Sequence, residues 1–207
     1  MFKRLFGGSI ITIFILSTTG CFGGGVKDSG RAFDSAIINY EWEGVISGKE
    51  TVYIEGNKTR SEINTATIIG GAQTTQKRVI INDGENLYKI NTDSSLAFKE
   101  TSPYKEKLNS LSPEEKQAFR KRLALLLNDS DPLPEPSGEE TILDRVCEVY
   151  SVTGPNSTCL WEGITLRNEV VIDTGKAKQK AVSLETNVKL PADLFTIPET
   201  IKIQDVN

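Results

Sequence analysis

The cysteines in the second half of the chain, Cys147 and Cys159, are the first residues whose spacing suggests a particular chemistry. Runs of apolar, β-branched and aromatic residues flank the turn-forming stretch 153–157 between them. This pattern predicts a β-hairpin that brings the two thiols close together. Eleven intervening residues do not match a CxxC motif, so a structural disulfide is our interpretation, and a redox or metal-binding pair is the alternative.

Other catalytic chemistry is restricted because the sequence contains no histidine. This excludes the Ser-His-Asp and Cys-His arrangements and removes the commonest metal ligand. A carboxylate-based hydrolase would have to use Glu139, Glu140 and Asp144, but these acids lie at the edge of a predicted loop, without a neighbouring nucleophile or oxyanion-binding group. We therefore predict a protein that is not an enzyme and has no catalytic residues, metal ligands or cofactor.

The third cysteine, Cys21, follows a segment with the layout of a secretory signal. Lys3 and Arg4 precede an apolar run over residues 5–16 that is too short for a membrane-spanning helix of roughly 20 apolar residues. Residues 18–21, Thr-Thr-Gly-Cys, resemble the lipobox of bacterial lipoproteins. The resemblance implies that residues 1–20 are removed and that Cys21 is lipidated. An ordinary secretory signal with an incidental cysteine is the alternative.

Lipidation at Cys21 would fix the protein to a membrane outside the cytoplasm. Each buried methylene contributes about 0.8 kcal/mol, so several acyl chains hold a protein durably. Residues 21–35 then form the lipidated cysteine and a glycine-containing tether, and residues 36–207 form one domain. Phe22 is not the aspartate that retains some lipoproteins at the inner membrane. We therefore expect a lipid-anchored protein of the bacterial cell envelope, at the outer membrane facing the periplasm.

The overall charge excludes one class of partner. The chain has 24 basic and 28 acidic residues, and loss of Lys3 and Arg4 leaves 22 basic against 28 acidic, a net charge of −6. This balance argues against a nucleic-acid partner, which requires a basic surface. An oxidising compartment after secretion also favours the disulfide.

Alternating apolar and polar residues predict most of the domain to be β-sheet. Ile38, Tyr40, Trp42 and Ile46 share one side of a strand whose other side is polar. Further strands are predicted near residues 50–55, 58–64, 77–82, 86–91, 95–100, 168–173 and 179–190, and residues 132–140 are predicted to be an exposed loop. Short strands joined by hairpins indicate an antiparallel meander.

One helix is predicted between residues 112 and 128. Ser112 and Glu115 form a capping-box pattern with Pro113 in the first turn. Phe119, Leu123 and Leu126 then belong to one apolar stripe. The helix also carries basic residues that either face lipid phosphates or form a solvated surface, namely Lys116, Arg120, Lys121 and Arg122.

Three segments resemble the LolA/LolB-like lipoprotein-carrier superfamily, most closely its uncharacterised lipoprotein members. They are RSEINT at 60–65, the stretch 78–98 and the stretch 190–203. The residues that match the carrier pattern are Arg60, Asp83, Gly84, Leu87, Tyr88, Phe195 and Pro198. The resemblance implies a mainly β (α+β) fold in which an antiparallel sheet curls into a half barrel, with one or two helices across the concave face. In the carriers, the cavity between sheet and helices accepts acyl chains.

This resemblance and the apolar patterns together give a candidate binding site. The predicted ligand-binding residues are Tyr40, Trp42, Arg60, Phe119, Leu123, Leu126, Val182 and Leu184. They either line a cavity for a lipid or acyl chain or form a packed core. The corresponding functions are a membrane-anchored protein that binds a hydrophobic ligand and a non-catalytic structural lipoprotein that interacts with an envelope protein.

The lipobox interpretation predicts that Cys21→Ser abolishes membrane attachment, because the substitution removes the thiol that would carry the lipid. Metabolic labelling with a fatty acid and membrane fractionation check this outcome. A Cys21→Ser protein that is still acylated and membrane-bound would contradict the interpretation.

Overall fold

The computed structural model describes residues 28–128, 131–151 and 155–206. Residues 1–27 lie outside this description, and with them the predicted signal, Cys21 and the first residues of the predicted tether. Residues 152–154, which include the start of the predicted hairpin turn, lie outside it as well. No helix in the described ranges has the length and apolar character needed to cross a membrane.

A single sheet of twelve strands and two short helices make up the described part of the chain. The strands are β1 (Ser35–Gly44), β2 (Ile46–Glu55), β3 (Lys58–Ile69), β4 (Ala72–Asn82), β5 (Asn86–Asn91), β6 (Leu96–Thr101), β7 (Gly138–Ile142), β8 (Arg145–Ser151), β9 (Ser157–Trp161), β10 (Ile164–Ile172), β11 (Gly175–Thr186) and β12 (Lys202–Asp205). The helices are α1 (Lys105–Ser110) and α2 (Pro113–Ala124).

The strands lie in the order β12-β6-β5-β4-β3-β2-β1-β11-β10-β9-β8-β7. Neighbouring strands are antiparallel, with the exception of β12, which runs parallel to β6. Most connections are hairpins between adjacent strands, which is the meander that the alternating sequence pattern predicts. The prediction of a mainly β fold built on an antiparallel sheet is therefore confirmed.

One half of the sheet curls around its own core. Ile38 and Tyr40 of β1 and Ile54 of β2 belong to the same buried cluster as Ile142 of β7 and Cys147 of β8. Strands β2 and β7 are six positions apart in the sheet order, so they share a core only if the sheet bends toward this face. We call the face that carries Ile38, Tyr40 and Ile54 the concave face, and the opposite face the convex face.

The convex face of the other half is covered by the C-terminal segment, residues 188–201. Ile81, Ile90 and Ala97, from β4, β5 and β6, form a buried cluster with Leu190 and Phe195 of this segment. Most of the stretch 190–203, on which the expected carrier resemblance partly rests, therefore covers this half of the sheet, and its last two residues begin β12.

Helix α2 begins as predicted and ends earlier than predicted. The Ser112 hydroxyl accepts a hydrogen bond from the Glu115 N–H, and the Glu115 carboxylate accepts one from the Ser112 N–H, so the capping box is confirmed. The last helical residue is Ala124, because Leu126 takes a φ of 56° and the N–H of Leu127 bonds to the carbonyl of Arg122. This closing turn, normally formed by glycine, exposes 90 % of Leu126.

Several boundaries differ from those predicted. Strand β7 occupies residues 138–142, part of which was predicted to be loop, and α1 and β12 were not predicted. The packed domain also begins before residue 36, because Phe33 lies in the core and stacks on Trp161 with 5.8 Å between ring centroids. The final residues of the expected tether, including the buried Arg31, therefore belong to the fold.

The predicted disulfide between Cys147 and Cys159 is present and joins β8 to β9. Both residues are completely buried in the curled core, with their Cα atoms 5.5 Å apart. The bridge therefore covalently joins two of the strands that the curl brings over β1 and β2.

We expect reduction of this disulfide to lower the free energy of unfolding by about 3 kcal/mol, because the bridge restricts the unfolded chain. Urea denaturation of the oxidised protein and of a Cys147→Ala/Cys159→Ala double variant measures the difference. Equal urea midpoints, or free-thiol labelling of both cysteines in the native secreted protein, would contradict the expectation.

Candidate functional site

Two of the predicted ligand-binding residues belong to the packed core of the curled half. Tyr40 is buried, and its hydroxyl donates a hydrogen bond to the Thr165 carbonyl at 2.9 Å. Burial, with the nearby Glu50 carboxylate as a second cause, raises the pKa of Tyr40. Leu184 is half-buried and packs against the same cluster. At these positions the protein's own side chains fill the curl.

Val182 does not join Leu184 in this core. The pairing of β1 with β11 shifts by one residue, so that Asn39 pairs with Ser183 and Tyr40 with Ala181. Val182 is the extra residue of this β-bulge and is 45 % exposed, while Ala181 takes the buried place. Regular alternation along the predicted strand 179–190 would place Val182 and Leu184 on one face, but the bulge interrupts this alternation.

Arg60 lies on the convex face rather than on the face that carries Tyr40. Its Nε contacts the Glu62 carboxylate at 2.8 Å, and its Nη1 donates to the Leu194 carbonyl at 3.0 Å. Arg60 therefore helps to hold the C-terminal segment against the sheet.

The three predicted residues near α2 lie apart from the curled core. Phe119 is buried edge-on against Tyr104, Leu123 is half-buried, and Leu126 is exposed beyond the end of the helix. Helix α2 contacts β10 and the turns at one end of the sheet. The eight predicted residues are thus divided among core, convex face and helix surroundings and do not line one cavity.

The concave face remains open on strands β3 to β6. Ile80 of β4 pairs with Lys89 of β5, which pairs with Phe98 of β6, so these side chains form a row across this face. Phe98 is 41 % exposed, and neither Ile80 nor Phe98 belongs to any of the buried clusters. A cleft of about 170 Å³ is lined by both residues together with Arg78 and Asn91.

This small cleft adjoins a larger one toward the β3–β4 turn. The second cleft, of about 510 Å³, shares Gln76, Lys77 and Asn91 with the first and continues past Thr67 and Thr74. Together they form a groove with an apolar end at Ile80 and Phe98 and a hydroxyl- and amide-lined end at the turn. We call this surface the open groove.

Positive charge borders the apolar end of the open groove. Arg78 and Lys89 both line the small cleft, and the ammonium group of Lys89 lies 2.7 Å from the Glu100 carboxylate. Lys89 is therefore neutralised locally, and Arg78 and Lys77, which both line the small cleft, are the cations that an anionic group in the groove would meet.

A half-buried carboxylate separates the filled curl from the open groove. Glu50 of β2 accepts hydrogen bonds from Trp42 Nε1 at 3.3 Å, Gln179 Nε2 at 2.7 Å and the Ser61 hydroxyl at 2.5 Å. These donors come from β1, β11 and β3, so one carboxylate connects four neighbouring strands. Trp42, predicted as a ligand contact, is instead oriented by this network.

Sequence reasoning missed the groove residues Ile80, Phe98 and Arg78. Their strands were predicted, but only positions matching an apolar stripe or a carrier motif were selected as site residues. The uninterrupted apolar run Val79-Ile80-Ile81 was an available signal, because it requires an apolar side chain on each face of β4.

The carboxylates considered for hydrolysis do not come together. Glu140 accepts from Arg167 at 2.8 Å, Asp144 lies in the β7–β8 turn with a φ of 58°, and Glu139 is exposed. Within the described ranges, no group of three or more acidic or cysteine side chains is placed to hold a metal ion.

We expect Glu50→Gln to lower the free energy of unfolding by about 1 to 3 kcal/mol. The glutamine NH2 group would replace an acceptor oxygen, so one of the three donors around position 50 would lose its hydrogen bond. Urea denaturation followed by tryptophan fluorescence measures this loss. Glu41→Gln is the control, since Glu41 is an exposed acid of the adjacent strand. Equal losses in the two variants would contradict the role assigned to Glu50.

The chain matches no protein-family model, and no curated protein is similar enough to count as a relative. A crystal structure of an uncharacterized conserved protein from Thermus thermophilus is similar in fold, with a TM-score of 0.50, 10 % sequence identity, and coverage of 83 % of this chain and 90 % of that one. PNGF-II is similar over 84 % of this chain and 32 % of its own, with 10 % identity and a TM-score of 0.43. At this identity the Thermus likeness concerns the fold alone.

Proposed function

We propose that the protein is a lipid-anchored, non-catalytic protein of the bacterial envelope that binds an acyl chain carrying an anionic headgroup. The open groove is the binding site in this proposal, with the chain against Ile80 and Phe98 and the headgroup near Arg78. The observation that carries the proposal is the uncovered apolar end of the groove, on a face that is filled in the curled half and open in the other.

The contrast between the two halves of the concave face supports this choice of site. In the curled half, Tyr40 and Ile54 are 5 % and 4 % exposed, whereas Phe98 in the open half is 41 % exposed. Complete burial of a side chain of this size stabilises by about 1.5 to 3 kcal/mol, so an apolar ligand that covers the exposed part of Phe98 gains a fraction of that amount. An apolar ligand is therefore expected to bind to the open half of the concave face.

The charge pattern specifies the ligand further. Arg78 provides a guanidinium that can form two parallel hydrogen bonds with a carboxylate or phosphate, and this end of the groove is next to apolar side chains. A fatty acid or a phospholipid has this combination of an apolar chain and an oxyanion. An uncharged apolar ligand would use only half of the site.

Anchoring through Cys21 is the second part of the proposal, and it rests on the Thr-Thr-Gly-Cys motif and on the signal-like segment before it. The buried disulfide fits an oxidising compartment such as the periplasm. We retain the outer membrane as the proposed location, on the same argument from Phe22.

A structural or interaction lipoprotein is the second candidate function. It is favoured by the filled curl, because Tyr40 and Leu184 pack into the core instead of lining a cavity. In that case the open groove would contact an envelope protein rather than a lipid.

We expect the protein to bind a fluorescent fatty acid saturably and Phe98→Glu to weaken this binding by about tenfold or more, because a carboxylate would be buried against the acyl chain. Fluorescence titration measures the affinity. Val146→Glu is the matched control, since Val146 is 58 % exposed on β8, away from the groove.

Arg78→Gln should weaken binding of the fatty acid but leave binding of the corresponding fatty alcohol unchanged, because only the acid carries a charge. Absence of saturable binding to the unaltered protein, or equal effects of Phe98→Glu and Val146→Glu, would overturn the lipid-binding proposal and favour the interaction lipoprotein.

A further inference from the structure

Two arginine side chains are buried together at the end of the sheet where α2 meets the start of the fold. Arg31 is 5 % exposed and precedes β1, and Arg120 is 8 % exposed and belongs to α2. Both reach the β2–β3 turn, where Arg31 contacts Gly56 and Arg120 contacts Asn57. This site is separate from the open groove, which lies on strands β3 to β6.

The hydrogen bonds of both guanidinium groups are with neutral oxygens, and Arg31 also lies over the Phe33 ring, 6.0 Å from its centroid. Arg31 Nη1 donates to the Gly56 carbonyl at 2.7 Å, Arg120 Nε to the Ser29 carbonyl at 3.0 Å, and Arg120 Nη2 to the Asn57 amide oxygen at 2.7 Å. Across the part of the chain that the structure describes, no carboxylate forms an ion pair with either arginine. Two like charges thus share a buried region in which no described carboxylate pairs with either of them.

Such an arrangement is unusual because a buried charge is costly unless it is paired. Desolvation, together with the neighbouring Arg120, lowers the pKa of Arg31 to about 9, and desolvation lowers the pKa of Arg120 to about 10. Both groups remain protonated at neutral pH. The site therefore carries two positive charges that an anion would stabilise.

Two buried polar atoms of the segment 29–31 have no hydrogen-bond partner among the described residues. They are Nε of Arg31, which is a donor, and Oγ of Ser29, a hydroxyl that can also donate. Buried polar groups nearly always form hydrogen bonds in native proteins. Two unpartnered donors near two cations without an ion pair therefore indicate that a hydrogen-bond acceptor binds there.

We propose that Arg31 and Arg120 form a binding site for a phosphate-type oxyanion, with Arg31 Nε and the Ser29 hydroxyl among its donors. A phosphate group has several acceptor oxygens and a charge that matches the two guanidinium groups. The anion is either free phosphate or the phosphodiester of a phospholipid headgroup.

The headgroup source rests on the proposed lipid anchor. Ser29 is eight residues after Cys21, and a fully extended chain covers at most about 3.6 Å per residue. The site would then stay within about 29 Å of the anchored cysteine, close enough to reach the membrane surface. A headgroup held there would orient this end of the sheet toward the bilayer.

Thermal unfolding of the full-length chain in a non-ionic detergent tests the site, with inorganic phosphate titrated against chloride at matched ionic strength. Trp161 is a local reporter, because it stacks on Phe33, two residues from Arg31. We expect phosphate, and not chloride, to raise the unfolding temperature and saturate. Arg31→Met should remove this response, and Arg122→Gln, on the same helix as Arg120, should retain it.

Ser29→Ala is a second test variant, which is informative even if Arg31→Met fails to fold. It deletes a hydroxyl that has no partner and leaves the backbone carbonyl in place. We expect Ser29→Ala to fold normally and to need about threefold to tenfold more phosphate for half-saturation. Ser94→Ala, at an exposed position, should need the same phosphate concentration as the unaltered protein. Equal responses to phosphate and chloride, or a full phosphate response in both Arg31→Met and Ser29→Ala, would overturn the proposal.

Short-chain phosphatidylglycerol, titrated in the same way, distinguishes the two sources. A response to this lipid that Arg31→Met removes supports the oxyanion site and assigns it to headgroups, whereas a response to inorganic phosphate alone supports the site and assigns it to free phosphate. Phe98 and Arg78 are not part of this site, so the Arg31→Met variant should still bind the fatty acid probe. Measuring that binding distinguishes failure of the oxyanion proposal from failure of the proposed lipid-binding function.

Discussion

Burial of the concave face of β1, β2 and β11 is the constraint on which the rest of the structure depends. These strands are central in the sheet order, and their apolar side chains are covered only because β7 to β10 bend over them. The curl brings Cys147 and Cys159 into the same core, where the disulfide joins two of the covering strands. Without that bend, side chains such as Ile38 would face solvent, and the helices are too short to replace the cover.

The curl also determines which surfaces are left over. A strand has two faces, and each half of this sheet buries a different one. The curled half buries its concave face against its own strands, and the β3–β6 half buries its convex face against residues 188–201. The concave face of the β3–β6 half receives neither cover. It tolerates water because threonine, glutamine and asparagine line the larger cleft, with apolar exposure concentrated at Ile80 and Phe98.

Local sequence signals predicted the sheet and the start of α2. They did not predict the features that depend on unusual backbone conformations. The β7–β8 hairpin turns through Leu143 and Asp144 with φ values of 51° and 58°, a conformation that Asn-Gly usually signals, so this hairpin had no recognisable turn. Leu126 ends α2 in the position normally taken by glycine, and the apolar stripe therefore appeared to continue. The bulge at Val182 reverses the alternation on which the predicted site depended. These are tertiary effects, in which packing outweighs residue preference.

The buried arginine pair shows why the start of the fold was also hidden. A glycine-containing segment after a predicted lipid anchor has the composition of a tether, and nothing in residues 28–35 alone indicates burial. The burial of Ser29 and Gly30 comes from α2, because Lys116 Cβ and Arg120 occupy the space over them. This part of the segment is therefore packed against a helix almost ninety residues later in the chain. The same contacts that place α2 at the end of the sheet bring two cations together there and keep the helix away from β3 to β6. The end of the sheet that holds Arg31 and Arg120 and the open groove are thus two consequences of the position of α2.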